Sequence, residues 1–440
     1  MKNIIRQLIA EFLEWSIPQP FPRLINLPEF PNNIRKAQVF VGMRRTGKTW
    51  LMYQQMHKLL EQGWKKNQLL YINFEDDRLA NFSSSDFQSI LDAFFDINPT
   101  LSKEDKLGFF FDEIHIVAGW EKFVRRLIDQ ERMQVYITGS SAKMLSKEIS
   151  TTLRGRAWTQ EVFPFSFREF VSFKGFELES KFTPKTNSLL RNFAEHYLYF
   201  GGFPETLFVS NELHSSLLQN YINAVIYRDV LERYDIKNAH AVRSFLILCL
   251  RQLAAPFSVT KMFHAMKSQG HTIGKNSLYE FLEYFEDAYA LFIVPLFHFS
   301  KKVQQVNPKK LYAVDPGIIS AYSIKQSFEN AARLENAVFI ALRRYFKDIF
   351  YYKTKQNKEV DFVVITPNGE YQLFQVCLDL SDAATRIREL HALKEAGVEL
   401  GLSQGYLITG DHEETIEEGK FVIHCIPFWK WGLNQTSLLL

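Results

Sequence analysis

Cysteine is scarce: Cys249, Cys377 and Cys425 are the only three in 440 residues. They lie far apart, so no pair has metal-ligand spacing and no disulfide framework is implied. That usage fits a reduced, cytoplasmic protein. No apolar run approaches the roughly 20 residues of a membrane-spanning helix, so no membrane partner is expected. The N-terminus does not read as a signal peptide. Arg6, Glu11 and Glu14 interrupt its apolar residues, and no small-residue cleavage site follows. Charge of one sign is lacking too: 52 Lys and Arg against 49 Asp and Glu leave a net charge of +3, which argues neither for nor against nucleic acid. Low-complexity sequence is absent. Phenylalanine is abundant, at 40 residues, and points to aromatic-rich cores rather than to a particular chemistry. At this length two to four domains are expected.

The chain is organised around residues 40–49, Phe-Val-Gly-Met-Arg-Arg-Thr-Gly-Lys-Thr. The apolar run 37–41 precedes this stretch and a helical pattern over 50–60 follows it. Strand, glycine-bearing loop and helix in that order, with G-x-x-x-x-G-K-T spacing, form a phosphate-binding loop. Gly42 and Gly47 let backbone N–H groups curl around phosphate oxygens where a side chain would intrude. The helix that begins near Lys48 aims its unpaired N–H groups at the anion. Met43, Arg44, Arg45 and Thr46 complete the loop. Lys48 can reach the β- and γ-phosphates of a nucleotide, and the Thr49 hydroxyl can ligate Mg²⁺.

The run 68–74 reads as a strand ending in Glu75-Asp76-Asp77, and a polar, partly helical stretch follows to Lys106. Gly108 to Phe111 then form an apolar run ending in Asp112-Glu113. Some 60 residues after a phosphate loop, that pattern places Asp112 in the Mg²⁺ shell and Glu113 beside the attacking water. Residues 134–137 read as another strand, ending Thr138-Gly139-Ser140-Ser141; a polar residue at its tip either senses the γ-phosphate or makes simple turn contacts. Arg154 and Arg156 flank Gly155, and either present a guanidinium to a phosphate or form a solvated pair.

Residues 1–16 read as an amphipathic helix packed on its own domain, with a proline-rich connector after it. From Glu169 the pattern turns helical, over 187–199 and 217–234. Within 239–326, three helices precede a stretch carrying Lys301, Lys302, Lys309 and Lys310, which reads as a winged helix with a basic hairpin. In its DNA-binding form Lys275 and Asn276 enter a groove and the hairpin lysines meet phosphates; in its other form it serves packing or protein contacts. Beyond 327, a helix carrying Glu335, strands around 360–364 and 371–377, a helix over 384–395 and strands 405–409 and 421–426 make a further α/β unit.

Together the Gly-Met-Arg-Arg-Thr-Gly-Lys-Thr loop, Phe111-Asp112-Glu113 and the segment Pro164-Phe-Ser-Phe-Arg-Glu-Phe170 resemble prokaryotic AAA-type ATP-binding proteins whose ATPase domain is fused to a C-terminal domain of unknown function. Gly201-Gly-Phe-Pro-Glu205, Tyr227-Arg-Asp-Val230, Glu359-Val-Asp-Phe362 and Gln375-Val-Cys377 extend the resemblance over nearly the whole chain. It implies an α/β protein. The resemblance further implies an ASCE-type parallel P-loop sheet over 1–172, a helical linker over 173–238, a winged helix over 239–326 and a restriction-endonuclease-like domain over 327–440. It also implies ATP and Mg²⁺ as cofactors, Ser140 or Thr138 as sensor, and Arg154 or Arg156 as an arginine finger, with a homo-oligomer if the finger acts in trans. One departure stands out. Nuclease relatives of the last fold carry D…(E/Q)-x-K, and Cys377 holds the lysine position here, so Glu335, Asp361 and Gln375 are expected to be relics or a docking surface unless Lys353, Lys355 or Lys358 takes over. Three functions remain open on these residues: an Mg²⁺-dependent ATPase or switch, an ATP-regulated DNA-binding or DNA-cleaving protein, and a nucleotide-binding scaffold with little turnover. The protein partner is unspecified.

Overall fold

The computed structural model describes residues 1–31, 34–130, 133–139, 153–177, 182–322 and 329–434. It divides into two compact units, Met1–Val162 and Phe163–Leu440. Among the described residues no helix is long and apolar enough to cross a membrane.

The first unit contains α1 (Lys2–Glu14), β1 (Ala37–Val41), α2 (Lys48–Glu61), β2 (Leu69–Asn73), α3 (Phe87–Ile97), β3 (Gly108–Asp112), α4 (Trp120–Asp129), β4 (Gln134–Gly139) and β5 (Ala157–Glu161). The strands form one sheet in the order β2-β3-β4-β1-β5, with every neighbour parallel. A parallel sheet is covered on both faces, so its central strands can be apolar throughout; β3, Gly-Phe-Phe-Phe-Asp, is buried at every position. The phenylalanines serve this core. Phe110 stacks on Tyr136 at 4.4 Å between centroids and Phe87 on Phe123 at 4.6 Å. The apolar stripe of α1, Ile5, Ile9 and Phe12, is buried where the helix meets α3 and β2. Because the strands are parallel, the ends of β1, β3 and β4 bring residues 42–49, 112–113 and 138 to one edge of the sheet.

The second unit opens with α5 (Phe167–Phe173), α6 (Pro184–Phe200) and α7 (Asn211–Ala224), the last continued by a π-helical turn over 225–231. Next come α8 (Ala239–Leu250), β6 (Pro256–Phe257), α9 (Val259–Ser268), α10 (Lys275–Asp287), β7 (Leu291–Val294), α11 (Lys301–Val306), β8 (Lys309–Ala313) and α12 (Pro316–Tyr322). The three short strands pair antiparallel in the order β6-β8-β7. Lys301 and Lys302 therefore begin a short helix between β7 and β8 instead of standing on a plain hairpin. The unit closes with α13 (Glu329–Arg343), β9 (Ile349–Lys353), β10 (Glu359–Ile365), β11 (Tyr371–Cys377), α14 (Ala383–Leu400), β12 (Gln404–Thr409), β13 (Glu414–Glu418), β14 (Phe421–Pro427) and α15 (Phe428–Leu433). Its six-stranded sheet is mixed, in the order β13-β14-β12-β11-β10-β9, with β11, β12 and β14 running parallel.

One carboxylate explains the glycine pair after α6. Asp315 is buried and accepts the Gly202 N–H at 2.7 Å and the Gly317 N–H at 2.8 Å. Gly201 has φ 76°, and a Cβ there would lie 1.7 Å from Asp315 Oδ1. Burial pushes the Asp315 carboxyl up to about 7, against the pull of the two N–H groups and of Arg344. Gly201→Ala would collide with that group and strain the backbone as well. It should destabilise the second unit by on the order of 3 kcal/mol, read as a lower denaturant midpoint at unchanged slope.

Candidate functional site

The loop between β1 and α2 has the backbone its sequence demands. Gly42 and Gly47 adopt φ 149° and 95°, and Arg45 also sits at positive φ, 69°. Gly42 is forced: a Cβ there would stand 2.3 Å from the Val162 carbonyl oxygen. Lys48 is buried, and its ammonium donates to the carbonyls of Gly42 and Met43, each at 3.0 Å. The buried Thr46 hydroxyl donates to Met43 O at 2.9 Å. Arg44 pairs with Glu75 at 3.1 Å, and both side chains are solvent-accessible.

A chain of hydrogen bonds ties this loop to the tips of β3 and β4. The Thr49 hydroxyl donates to Asp112 Oδ2 at 2.8 Å, and Tyr71 OH donates to the same oxygen at 3.0 Å. The other oxygen, Oδ1, accepts the Thr138 hydroxyl. Thr138 Oγ1 in turn accepts the Glu113 N–H at 2.8 Å. Glu113 is held at φ 52° by that bond. Burial raises its carboxyl to about 7; Lys48 opposes the rise and Asp112 adds to it. His115 Nδ1 lies 3.2 Å from Glu113 Oε2. A hydroxyl and a carboxylate at the mouth of the loop are hard oxygen ligands of the kind Mg²⁺ takes alongside phosphate oxygens. A loop with two left-handed glycines, opening a helix, presents backbone N–H groups to an anion. The residues therefore fit a Mg²⁺-nucleotide.

Gly42, Met43, Arg44, Arg45, Thr46, Gly47, Lys48, Thr49, Asp112, Glu113 and Thr138 are thus brought together. Ser140 lies outside the described residues. Arg154 and Arg156 are not brought to the loop of their own chain. They precede β5, whose first residue is in register with Ala37 at the start of β1, so they stand at the end of the sheet opposite the loop. Arg156 is engaged there by Asp129. Tyr71, His115 and Arg23 went unread in the sequence. Tyr71 and His115 flank the two acidic residues in space. Arg23 lies in the proline-rich connector, which carries no motif.

The second unit holds a separate charged cluster, and it overturns one expectation. Lys310, expected on an exposed hairpin facing phosphate, is buried. Its ammonium contacts Glu335 Oε1 at 3.0 Å, Glu359 Oε1 at 2.9 Å and Asp361 Oδ1 at 2.9 Å. Tyr312 OH donates to Glu335 Oε1 at 2.6 Å, and Asp361 Oδ2 accepts the Val376 N–H at 2.9 Å. The ammonium that meets these carboxylates thus comes from β8. Lys353 reaches only Glu359, at 3.9 Å, and Lys358 pairs with Glu395 at 2.9 Å. Burial alone would lower the Lys310 pKa, but Asp361, Glu335 and Glu359 hold it well above the ordinary lysine value. Burial, reinforced by Asp361, raises Glu335 to about 7. Both ends of the Gln375 amide are engaged: its Oε1 accepts the Asp361 N–H at 3.1 Å and its Nε2 donates to Glu389 at 2.5 Å.

Comparison with known proteins matches three stretches of the chain. A family described as "AAA domain" matches residues 34–171. Two domains of unknown function match 191–328 and 331–431. Over 423 residues the chain is 35% identical to the "Uncharacterized protein MJ1544" of Methanocaldococcus jannaschii, covering 94% of this chain and 91% of that one. The chain belongs to the MJ1544 family. A second relative, an uncharacterized protein of Haemophilus influenzae, is 27% identical over 395 residues, covering 89% of this chain and 93% of that one. Among solved structures, the Walker-type ATPase PABY2304 of Pyrococcus abyssi aligns with 74% of this chain and 96% of its own at 16% identity and a TM-score of 0.41. The MJ1544-family chain is thus an α/β protein whose N-terminal part is an AAA domain built on a parallel sheet. The descriptions of its two C-terminal domains name no activity.

Proposed function

We propose that this MJ1544-family protein binds ATP with Mg²⁺ at residues 42–49 and hydrolyses it, using the second unit as output in the four-domain arrangement read from the sequence. The observation that carries this reading is the unbroken run Thr49–Asp112–Thr138–Glu113 beside the loop. It joins Thr49, Asp112 and Glu113, which we read as metal ligands and base, through one hydrogen-bonded network. Mg²⁺, when bound, supplies charge neutralisation on the phosphates. Thr49 and Asp112 would hold it, and Lys48 would leave the Gly42 and Met43 carbonyls for phosphate oxygens. Glu113 takes a proton from the attacking water. With its carboxyl near 7, it is part ionised at neutral pH and can accept that proton without remaining permanently protonated. Thr138 fills the sensor role by fixing both acidic residues. Arg154 and Arg156 can serve as fingers only from a neighbouring copy, because their own loop is at the other end of the sheet.

For the second unit we read 239–326 as a winged-helix type and 327–440 as endonuclease-like. Three helices with a three-stranded antiparallel sheet support the first reading. The placement of Glu335 on a helix, with Asp361 and Gln375 on adjacent strands, supports the second. Cleavage is not part of the proposal. Lys310 fills the space between the carboxylates, and the DNA-directed reading loses one of its four hairpin lysines to that role.

Nucleotide titration tests the site. Lys48→Ala removes the buried ammonium and the charge-assisted bonds it would make to phosphate. It should weaken ATP·Mg²⁺ binding about 10²-fold, measured by calorimetry. Equal affinity in parent and variant would move the nucleotide elsewhere.

A further inference from the structure

The connector before β1 is built into the phosphate loop. Its prolines, Pro18, Pro20 and Pro22, restrict the backbone to extended forms, and the chain is fastened to α2 as it passes. His57 Nε2 meets Pro18 O at 3.1 Å. Further on, the Gln54 carboxamide takes the place of a strand partner for Arg23: the Arg23 N–H donates to Gln54 Oε1 at 2.8 Å and Gln54 Nε2 donates to Arg23 O at 3.1 Å. That pairing fixes where the Arg23 side chain begins. The side chain is buried, and its Nη1 donates to the Thr46 carbonyl at 2.9 Å. The same nitrogen would lie 3.2 Å from a Cβ on Gly47, so the guanidinium packs against the loop's second glycine.

The consequence follows from peptide geometry. In a trans peptide the C=O and the following N–H point in opposite directions. Holding the Thr46 carbonyl therefore sets the direction of the Gly47 N–H. A glycine at φ 95° has no side chain to resist a flip of that peptide, so without an anchor the Thr46–Gly47 plane would sample several orientations. Lys48 secures the other side of the loop through the Gly42 and Met43 carbonyls, but in the proposed reaction it moves to phosphate. Arg23 is attached from outside the loop and keeps its hold when Lys48 leaves.

We infer that Arg23 is a positioning residue of the phosphate loop: its guanidinium fixes the Thr46–Gly47 peptide in the anion-binding orientation, with Gln54 as its support. The inference deepens the ATP-site reading and rests on it for the ligand, a nucleoside triphosphate, but the mechanical part stands alone. Arg23 acts through the Thr46 carbonyl. Its loss should act on binding and loop order, and leave the chemistry at Glu113 intact once nucleotide is bound.

Two readouts on the full-length chain separate the possibilities. Hydrogen exchange in peptides covering 42–49, without nucleotide, should accelerate at least tenfold in Arg23→Met and less in Arg23→Lys, whose single ammonium can still meet one carbonyl. ATP·Mg²⁺ titration should show Arg23→Met weakened by about 10-fold or more, with kcat within about twofold of the parent and Arg23→Lys in between. Gln54→Ala, which loosens the support and keeps the guanidinium, should reproduce part of both effects. If Arg23→Met exchanges at the parent rate, the inference fails, whatever the affinity. If it loses kcat at unchanged affinity, Arg23 acts in the chemistry and the inference also fails. If the parent itself binds no nucleotide, the ATP reading falls, while the exchange comparison still decides whether Arg23 holds the loop.

Discussion

Glu113→Gln should bind ATP·Mg²⁺ as the parent does and release phosphate about 10²- to 10⁴-fold more slowly, the range expected for loss of a positioned general base. The amide has nearly the volume of the carboxylate, and the Glu113 backbone remains tied to Thr138, so the loop should keep its shape. What disappears is a carboxyl that burial raises to about 7, with Lys48 opposing the rise, and that lies beside His115 rather than serving as a metal ligand. Single-turnover mixing separates binding from chemistry. Parent-like binding with arrested turnover is the expected pair of results. Parent-like turnover would remove Glu113 from the mechanism and leave the Thr138 framework without a base.

Lys310→Met should destabilise the second unit by about 3–5 kcal/mol, because removing one partner of a buried ion cluster strands the others. Methionine keeps most of the volume, so the cost is electrostatic. Three carboxylates, Glu335, Glu359 and Asp361, would lose their shared ammonium. The pH dependence has a definite sign. Burial, reinforced by Asp361, already raises folded Glu335 from an ordinary 4.5 to about 7. A carboxyl whose folded pKa is raised costs stability as pH climbs from its unfolded value toward its folded one, and the full cost is present above that. Without Lys310 the rise is larger. The variant's deficit should therefore be greatest above pH 7 and shrink as pH falls toward 5. Differential scanning calorimetry at pH 5 and pH 8 reads this directly. A deficit independent of pH would show that packing, not charge, holds Lys310 in place.

The sequence made the loop legible because every part of that site has a local signature: two glycines at fixed spacing, a lysine and threonine after them, and acids at the end of an apolar strand. The strands it missed share a position. β5, β6, β9 and β13 are all edge strands: β6 is only two residues long, β5 and β13 are not continuous apolar runs, as an edge strand need not be, and Glu414–Glu418 is mostly charged and exposed or half-buried throughout; for β9, Ile-Phe-Tyr-Tyr-Lys, composition gives no such reason. Lys310 was misread for another reason. Its partners lie 25, 49 and 51 residues away, on a helix and a strand, so nothing adjacent in sequence distinguishes a buried counter-ion from a solvated hairpin lysine. Arg23 was hidden likewise, because its role depends on Gln54, 31 residues later, and on a peptide flip that leaves no compositional trace.

Hydrolysis itself is read most directly by phosphate release from ATP, comparing the parent with Mg²⁺, the parent with excess chelator, and Lys48→Ala with Mg²⁺. Release that requires Mg²⁺ and vanishes in Lys48→Ala is the predicted result. Release unchanged by the substitution, or none from a parent that binds ATP tightly, would contradict it and leave the loop a nucleotide holder or less.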